Sequence, residues 1–118
     1  MLHDRFSAVQ GQLLVHAPSA FTPELLNSLV DSMLSALGKQ RCEIVILDLS
    51  NTDYLDQEEF YALKRLAHMV ELMGPQLVLV GLNAGIVRYL IDANVDTSEL
   101  LITRDIEQAL QIHKTKIT

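Results

Sequence analysis

At 118 residues, 49% of them hydrophobic and 20% charged, the chain has the length of one domain and the apolar content to fill one core, so a single domain over 1–118 is expected. A net charge of −6, with nine Lys and Arg scattered along the chain, repels a phosphate backbone and argues against nucleic acid as a partner. The longest apolar runs, such as 76–82, fall far short of the roughly 20 residues of a membrane span, and residues 1–10 lack a basic-then-apolar leader pattern, so a soluble, cytoplasmic protein is expected.

Residues 5–9 and 12–16 are two short strand-like runs about Gly11 and read as an antiparallel hairpin. In 19–26, Thr22 can cap a helix, Pro23 suits its first position and Glu24 complements the positive end of its dipole. Leu25, Leu26, Leu29, Val30, Met33, Leu34 and Leu37 follow at helical spacing, and Gly38 is expected to end the run. The single cysteine, Cys42, excludes an intrachain disulfide and reads as a small residue near the edge of a buried strand. That strand, 43–49, is almost continuously apolar and rich in β-branched residues, which predicts a central position covered on both faces. From Gln57 the period becomes helical, with Phe60, Leu63, Leu66, Ala67, Val70 and Met73 on one face and Gly74-Pro75 as the stop. A second buried strand is expected over 76–82, then a short helix over 84–93 with Ile86, Val87, Leu90 and Ile91 inward. A last strand over 99–103 and a helix over 105–113 close the chain. The order ββαβαβαβα, with about four helices, predicts an α/β fold: a mixed, mostly parallel sheet with an antiparallel hairpin at its N-terminal end.

The junction of the central strand with the second helix, 47–60, is crowded with acids. Asp56 can cap the helix, Glu59 three residues on completes an acidic capping box, and Leu55 with Phe60 can form a hydrophobic staple. Glu58 adds a favourable charge to the first turn. Capping explains less of Asp48, a carboxylate at the end of a strand of Ile and Leu, which needs partners to offset its desolvation. Asp48, Ser50, Asn51, Thr52 and Asp53 gather polar groups at a strand's carboxyl end, the edge where α/β sheets place their ligands and contacts.

Residues 48–56, Asp-Leu-Ser-Asn-Thr-Asp-Tyr-Leu-Asp, resemble the strand-to-helix signature of STAS domains, the sulfate-transporter and anti-sigma-factor-antagonist family. The similarity extends over most of the chain, through the hairpin, the first helix and the Gly-containing stretch 80–87, Val-Gly-Leu-Asn-Ala-Gly-Ile-Val. With Gln12-Leu-Leu-Val15 near its start, the chain looks most like the single-domain scaffold subunits of stressosomes. The resemblance implies a STAS fold and a binding module without catalytic residues, metal or cofactor. Its implied partners are a serine/threonine kinase or anti-sigma factor of the ATP-binding kinase type and other STAS proteins, in a homo- or hetero-oligomer. The implied docking residues are Asp53, Tyr54, Asp56, Gln57, Glu58 and Glu59. In relatives a Ser or Thr directly after the turn's Asp is phosphorylated, which brings about −1.5 to −2 charge into the first helical turn. Here Gln57 occupies that position and has no hydroxyl.

Two consequences follow from Gln57. Either the chain binds its partners constitutively, with Glu58 and Glu59 as a permanent charge, or regulation has moved to another hydroxyl, for which Thr22, Ser50 and Thr52 are the candidates. A Mg²⁺-binding phosphotransfer site built from Asp48, Asp53 and Asp56 is the enzymatic rival. Against it, a receiver-type site calls for an acidic pair after the first strand and a Lys after the last, where Ser7, Gln10 and Thr103 stand. His3, His16, His68 and His113 show no ligand spacing and read as surface or edge residues, and 81–85 lacks the Lys and Ser/Thr of a phosphate loop. Tyr54, Tyr61 and Met69 are of types enriched at interface centres and are candidates for contact with another subunit.

Overall fold

The computed structural model describes residues 6–9 and 11–117. Nine elements follow in chain order: β1 (Phe6–Val9), β2 (Gln12–His16), α1 (Pro23–Lys39), β3 (Ile44–Asp48), α2 (Gln57–Leu72), β4 (Gln76–Val80), α3 (Ala84–Asp92), β5 (Leu101–Thr103) and α4 (Ile106–Ile117). The five strands lie side by side in sequence order, β1 antiparallel to β2, and β2 through β5 all parallel. Arg5 of the expected first strand, and His3 and Gln10 from the readings above, lie outside the described residues.

Each parallel pair is joined by one helix to its immediate neighbour. A right-handed crossover repeated in one direction must place every such helix on the same face of the sheet. The packing shows this: Leu29 and Met33 of α1, Phe60, Leu63, Leu66 and Val70 of α2, and Ile86 and Leu90 of α3 share one core with Leu13, Val15, Val45, Leu47, Leu77 and Leu79. The alternate residues of the central strands, Ile44, Ile46, Val78 and Val80, face the other way and are covered by Ala109 of α4, with Ile106 and Leu110 beside it. The continuous apolar runs of β3 and β4 are explained by this double coverage.

Punctuation of the helices follows local chemistry. Thr22 caps α1, its hydroxyl oxygen accepting from the Leu25 N–H at 3.1 Å, with Pro23 at the first helical position. α1 runs through Gly38 to Lys39 rather than ending at the glycine. The positive-φ glycines are Gly11, Gly74 and Gly81, so Gly38 does not take up the left-handed conformation that stops a helix. Met73 caps α2 instead of joining its buried face, and Gly74 (φ +119°) ends it. β4 stops at Val80 because Gly81 turns the chain at φ +78°, and a Cβ there would lie 3.0 Å from the backbone N of Ser50 and 3.1 Å from Oδ1 of Asp48. α3 buries only Ile86 and Leu90; Val87 and Ile91, expected inward, are exposed, Ile91 to 71%. This helix crosses to a strand of three residues at the sheet's edge, which offers surface for a narrow i, i+4 stripe and no wider. Among the described residues no helix is long and apolar enough to cross a membrane.

Two exposed loops hold carboxylates below the usual range. Asp96 is lowered first by the hydroxyl and then by the backbone N–H of Ser98, with the Lys64 ammonium helping. Asp105, just before α4, is lowered first by the backbone N–H of Gln108 and then by Arg104.

Gly81→Ala should lower unfolding stability by at least about 1 kcal/mol, because a left-handed φ and a close backbone are both violated. Gly38→Ala, with nothing near its added methyl, should raise it by up to about 1 kcal/mol; urea titrations of both variants give the two signs. The depressed pKa values of Asp96 and Asp105 contribute stability that is present above the unfolded aspartate value of about 3.9 and lost as pH falls through the lower folded values. The double variant Asp96→Asn, Asp105→Asn should therefore show a flatter loss of stability below about pH 4.

Candidate functional site

The carboxyl ends of β2, β3 and β4 bring three loops, and the starts of α1, α2 and α3, to one rim of the sheet. The loop between β3 and α2, residues 49–56, is held there from both sides. Leu49 N–H donates to Val80 O at 2.8 Å, and Asp53 N–H donates to Ser19 O at 2.9 Å. Thr52, only 1% exposed, donates its hydroxyl to Pro18 O at 2.8 Å. From the other side the Asn83 amide nitrogen donates to Thr52 O (3.0 Å) and Asp53 O (3.1 Å), while its oxygen accepts from Ile86 N–H at 2.8 Å and so caps α3. Buried backbone groups in a loop have no ladder to satisfy them, and here side chains and neighbouring loops do it.

The helix start behaves as the sequence predicts. Asp56 accepts from Glu59 N–H at 2.8 Å and Glu59 accepts from Asp56 N–H at 3.0 Å, a complete capping box. Leu55 and Phe60 both bury in the main core, at the two staple positions. The N–H of Gln57 donates to the Tyr89 hydroxyl at 3.2 Å, tying α2 to α3. Asp53, Tyr54, Asp56, Gln57 and Glu58 are exposed and Glu59 half-buried, so the acidic turn forms one contiguous surface.

Thr22 stands across a groove of about 370 Å³ from this turn, with Asp56, Glu58, Glu59 and Arg65 on the α2 side. Ser50 is exposed, its N–H bonded to Asp48 Oδ1 at 3.0 Å. Thr52 is different: its hydroxyl lies inside the fold as a donor, whereas Thr22 and Ser50 are exposed. Asp48 does not join Asp53 and Asp56. It continues the row of Ile44 and Ile46 toward the α4 face, is 12% exposed, and pairs with His16 Nδ1 at 3.2 Å. Its partners are therefore His16 and the Ser50 N–H. Among the described residues no three His, Cys, Asp or Glu side chains gather to hold a metal.

His68 meets Glu99 at 3.3 Å, and His113 meets Glu43 at 3.5 Å. Cys42 packs half-buried against the core, and burial pushes its thiol pKa up, opposite to what a nucleophile requires. Tyr61 also packs against the core, with the Lys64 ammonium 5.7 Å from its ring centroid, whereas Tyr54 and Met69 are exposed. Two residues that organise the rim, Asn83 and Tyr89, were not singled out by sequence reasoning. Asn83 carried a signal, since Asn between a strand and a helix is a preferred cap; Tyr89 carried none.

With this geometry the comparisons with known proteins agree. A STAS domain model matches residues 6–109, and the chain belongs to that family. A curated relative, the RsbT co-antagonist protein RsbRB of Bacillus subtilis (strain 168), is 26% identical over 86 residues. That match covers 73% of this chain and 31% of RsbRB, so the chain spans about a third of that relative's length. A solved Ser-to-Glu variant of RsbS from Moorella thermoacetica superposes with a TM-score of 0.77 at 16% identity, covering 95% of each chain. A chain of the solved stressosome, described as a signal integration and transduction hub, gives a TM-score of 0.73 at 16% identity over 95% of this chain and 97% of its own. The two superpositions establish a shared fold.

Asp56→Ala should cost about 1 kcal/mol through the lost cap. Asn83→Ala should cost about 2 kcal/mol, because it also frees two loop carbonyls. Chemical unfolding that ranked Asp56→Ala as the more damaging would remove Asn83 from its place at the centre of the rim.

Proposed function

We propose that this chain is a non-enzymatic signalling module that docks other proteins through residues 53–59, and that it does so without the hydroxyl switch of its relatives. Its partners are a serine/threonine kinase or anti-sigma factor of the ATP-binding kinase type, and other STAS proteins in a larger assembly. The observation that carries this reading is Tyr54: an aromatic side chain 59% exposed on a loop whose backbone is pinned at both flanks, amid Asp53, Asp56 and Glu58. A rigid, exposed aromatic ringed by charge is expensive to keep in water and well suited to an interface centre. The similarity to RsbRB and to a stressosome chain supports the choice of signalling partners. Gln57 leaves Glu58 and Glu59 as a standing negative charge at the start of α2.

Regulation through Thr22 has one observation in its favour, since Thr22 opens on the same groove as Glu58 and Glu59. A phosphate there would face those carboxylates and break the α1 cap, so it would act by repulsion.

Binding is tested by titrating the purified chain with the ATP-binding serine kinase encoded nearest to it. Glu58→Lys should weaken the complex by about tenfold or more, with unfolding stability changed by less than about 1 kcal/mol. Incubation with that kinase and ATP, followed by mass spectrometry, should find no phosphate. Label at Thr22, Ser50 or Thr52 would replace constitutive docking with a relocated switch.

A further inference from the structure

Beside the acidic turn lies a second hollow, of about 300 Å³, between the β3–α2 loop and the first turns of α3. It is lined by Asp53, Tyr54, Leu55, Asp56, Gly85, Ile86 and Tyr89: most of its surface is apolar, two of these residues carry aromatic rings, two are exposed aspartates and none is cationic. The volume sits at the lower limit of small-molecule pockets, roughly 300 to 1,000 Å³, and matches a single inserted side chain better than a cofactor. Both rings are accessible, Tyr54 to 59% and Tyr89 to 41%. Neither wall is loose. Tyr89 is held through its hydroxyl by the Gln57 N–H, Asp56 by the capping box and Asp53 by its backbone bonds to Ser19 and Asn83. A Cβ at Gly85 would lie 3.2 Å from Oδ1 of Asn83, the cap of α3.

We propose that this slot receives one arginine side chain from the docking partner. The identification rests on the docking reading above and adds to it the chemistry of the contact. Aromatic rings attract a cation through their π faces, and the adjoining Asp53 and Asp56 supply the opposite charge. Arginine fits better than lysine: its flat guanidinium stacks on a ring, its apolar stem suits the mostly apolar walls, its fork of N–H groups suits a carboxylate at the edge, and it is less costly to desolvate. Glu58, next along the rim, extends the negative field without lining the slot. A leucine or phenylalanine would use the rings but leave the carboxylates unmatched, and an acidic residue would be repelled.

The test uses the full chain with labelled tyrosine rings and acetyl-Gly-Arg-Gly-amide as the probe, read by NMR at low salt. Ring signals of Tyr54 and Tyr89 should shift saturably, and the neutral citrulline analogue should bind about tenfold more weakly. Asp53→Asn with Asp56→Asn, which keeps a capping side chain, should weaken the response by a similar factor, and Tyr54→Ala, an exposed change, should remove it. Equal shifts from the citrulline or leucine tripeptide, or no ring shift from the arginine one, would overturn the slot. A partner that binds through Glu58 while the arginine tripeptide stays silent would leave docking standing and sink the slot alone. An arginine response in a chain that binds no candidate partner would uphold the slot chemistry and sink the docking reading.

Discussion

The rim of this domain depends on how the loop 49–56 satisfies its polar groups. An eight-residue connection between a central strand and a helix passes over buried residues, and its own turn, in which Thr52 N–H donates to Leu49 O at 3.0 Å, satisfies only part of its backbone. Its solution is to borrow: Pro18 and Ser19 from one neighbouring loop, Asn83 from the other, and the Val80 carbonyl from the next strand. Leu49 and Leu55, buried at its two ends, then fasten it to the core. Tyr54 and the carboxylates are held outward because everything around them is spoken for.

The parallel order of the strands makes that borrowing possible. Three consecutive crossovers in one direction deliver three loops to the same rim, so residues 30 or more positions apart in sequence become hydrogen-bond partners. Gly81 permits one close approach, since any side chain there would press on Ser50 and Asp48. The fold thereby converts sequence-distant residues into one surface, which the STAS family model spans almost whole.

Element types and order were readable because periodicity is local: two apolar runs of five to seven residues, three helical stripes, and Thr22 and Asp56 as caps. The capping box was readable because its two members sit three residues apart. What escaped was set by tertiary context. Gly38 looked like a stop but had no need of a left-handed turn, and Val87 and Ile91 looked like core because nothing in the helix reveals how short the facing strand is. Asp48 seemed to belong with Asp53 and Asp56 until alternation along β3 sent it to the opposite face, toward His16. Asn83 and Tyr89 reach across the fold, and long-range contacts leave no trace in spacing.

The two faces of the sheet are covered very unequally. Three helices seal one side, while the other has α4 alone over Ile44, Ile46, Val78 and Val80. Opening energies follow buried apolar area, so the amide hydrogens of α4, in which Ala109 is fully buried and Ile106 and Leu110 only partly, should exchange with solvent ahead of those of β3 and α2. Such a partial opening leaves the rim on the far side of the sheet intact. The domain can thus lose its last helix for a moment, by thermal fluctuation, and keep the three loops of the rim assembled.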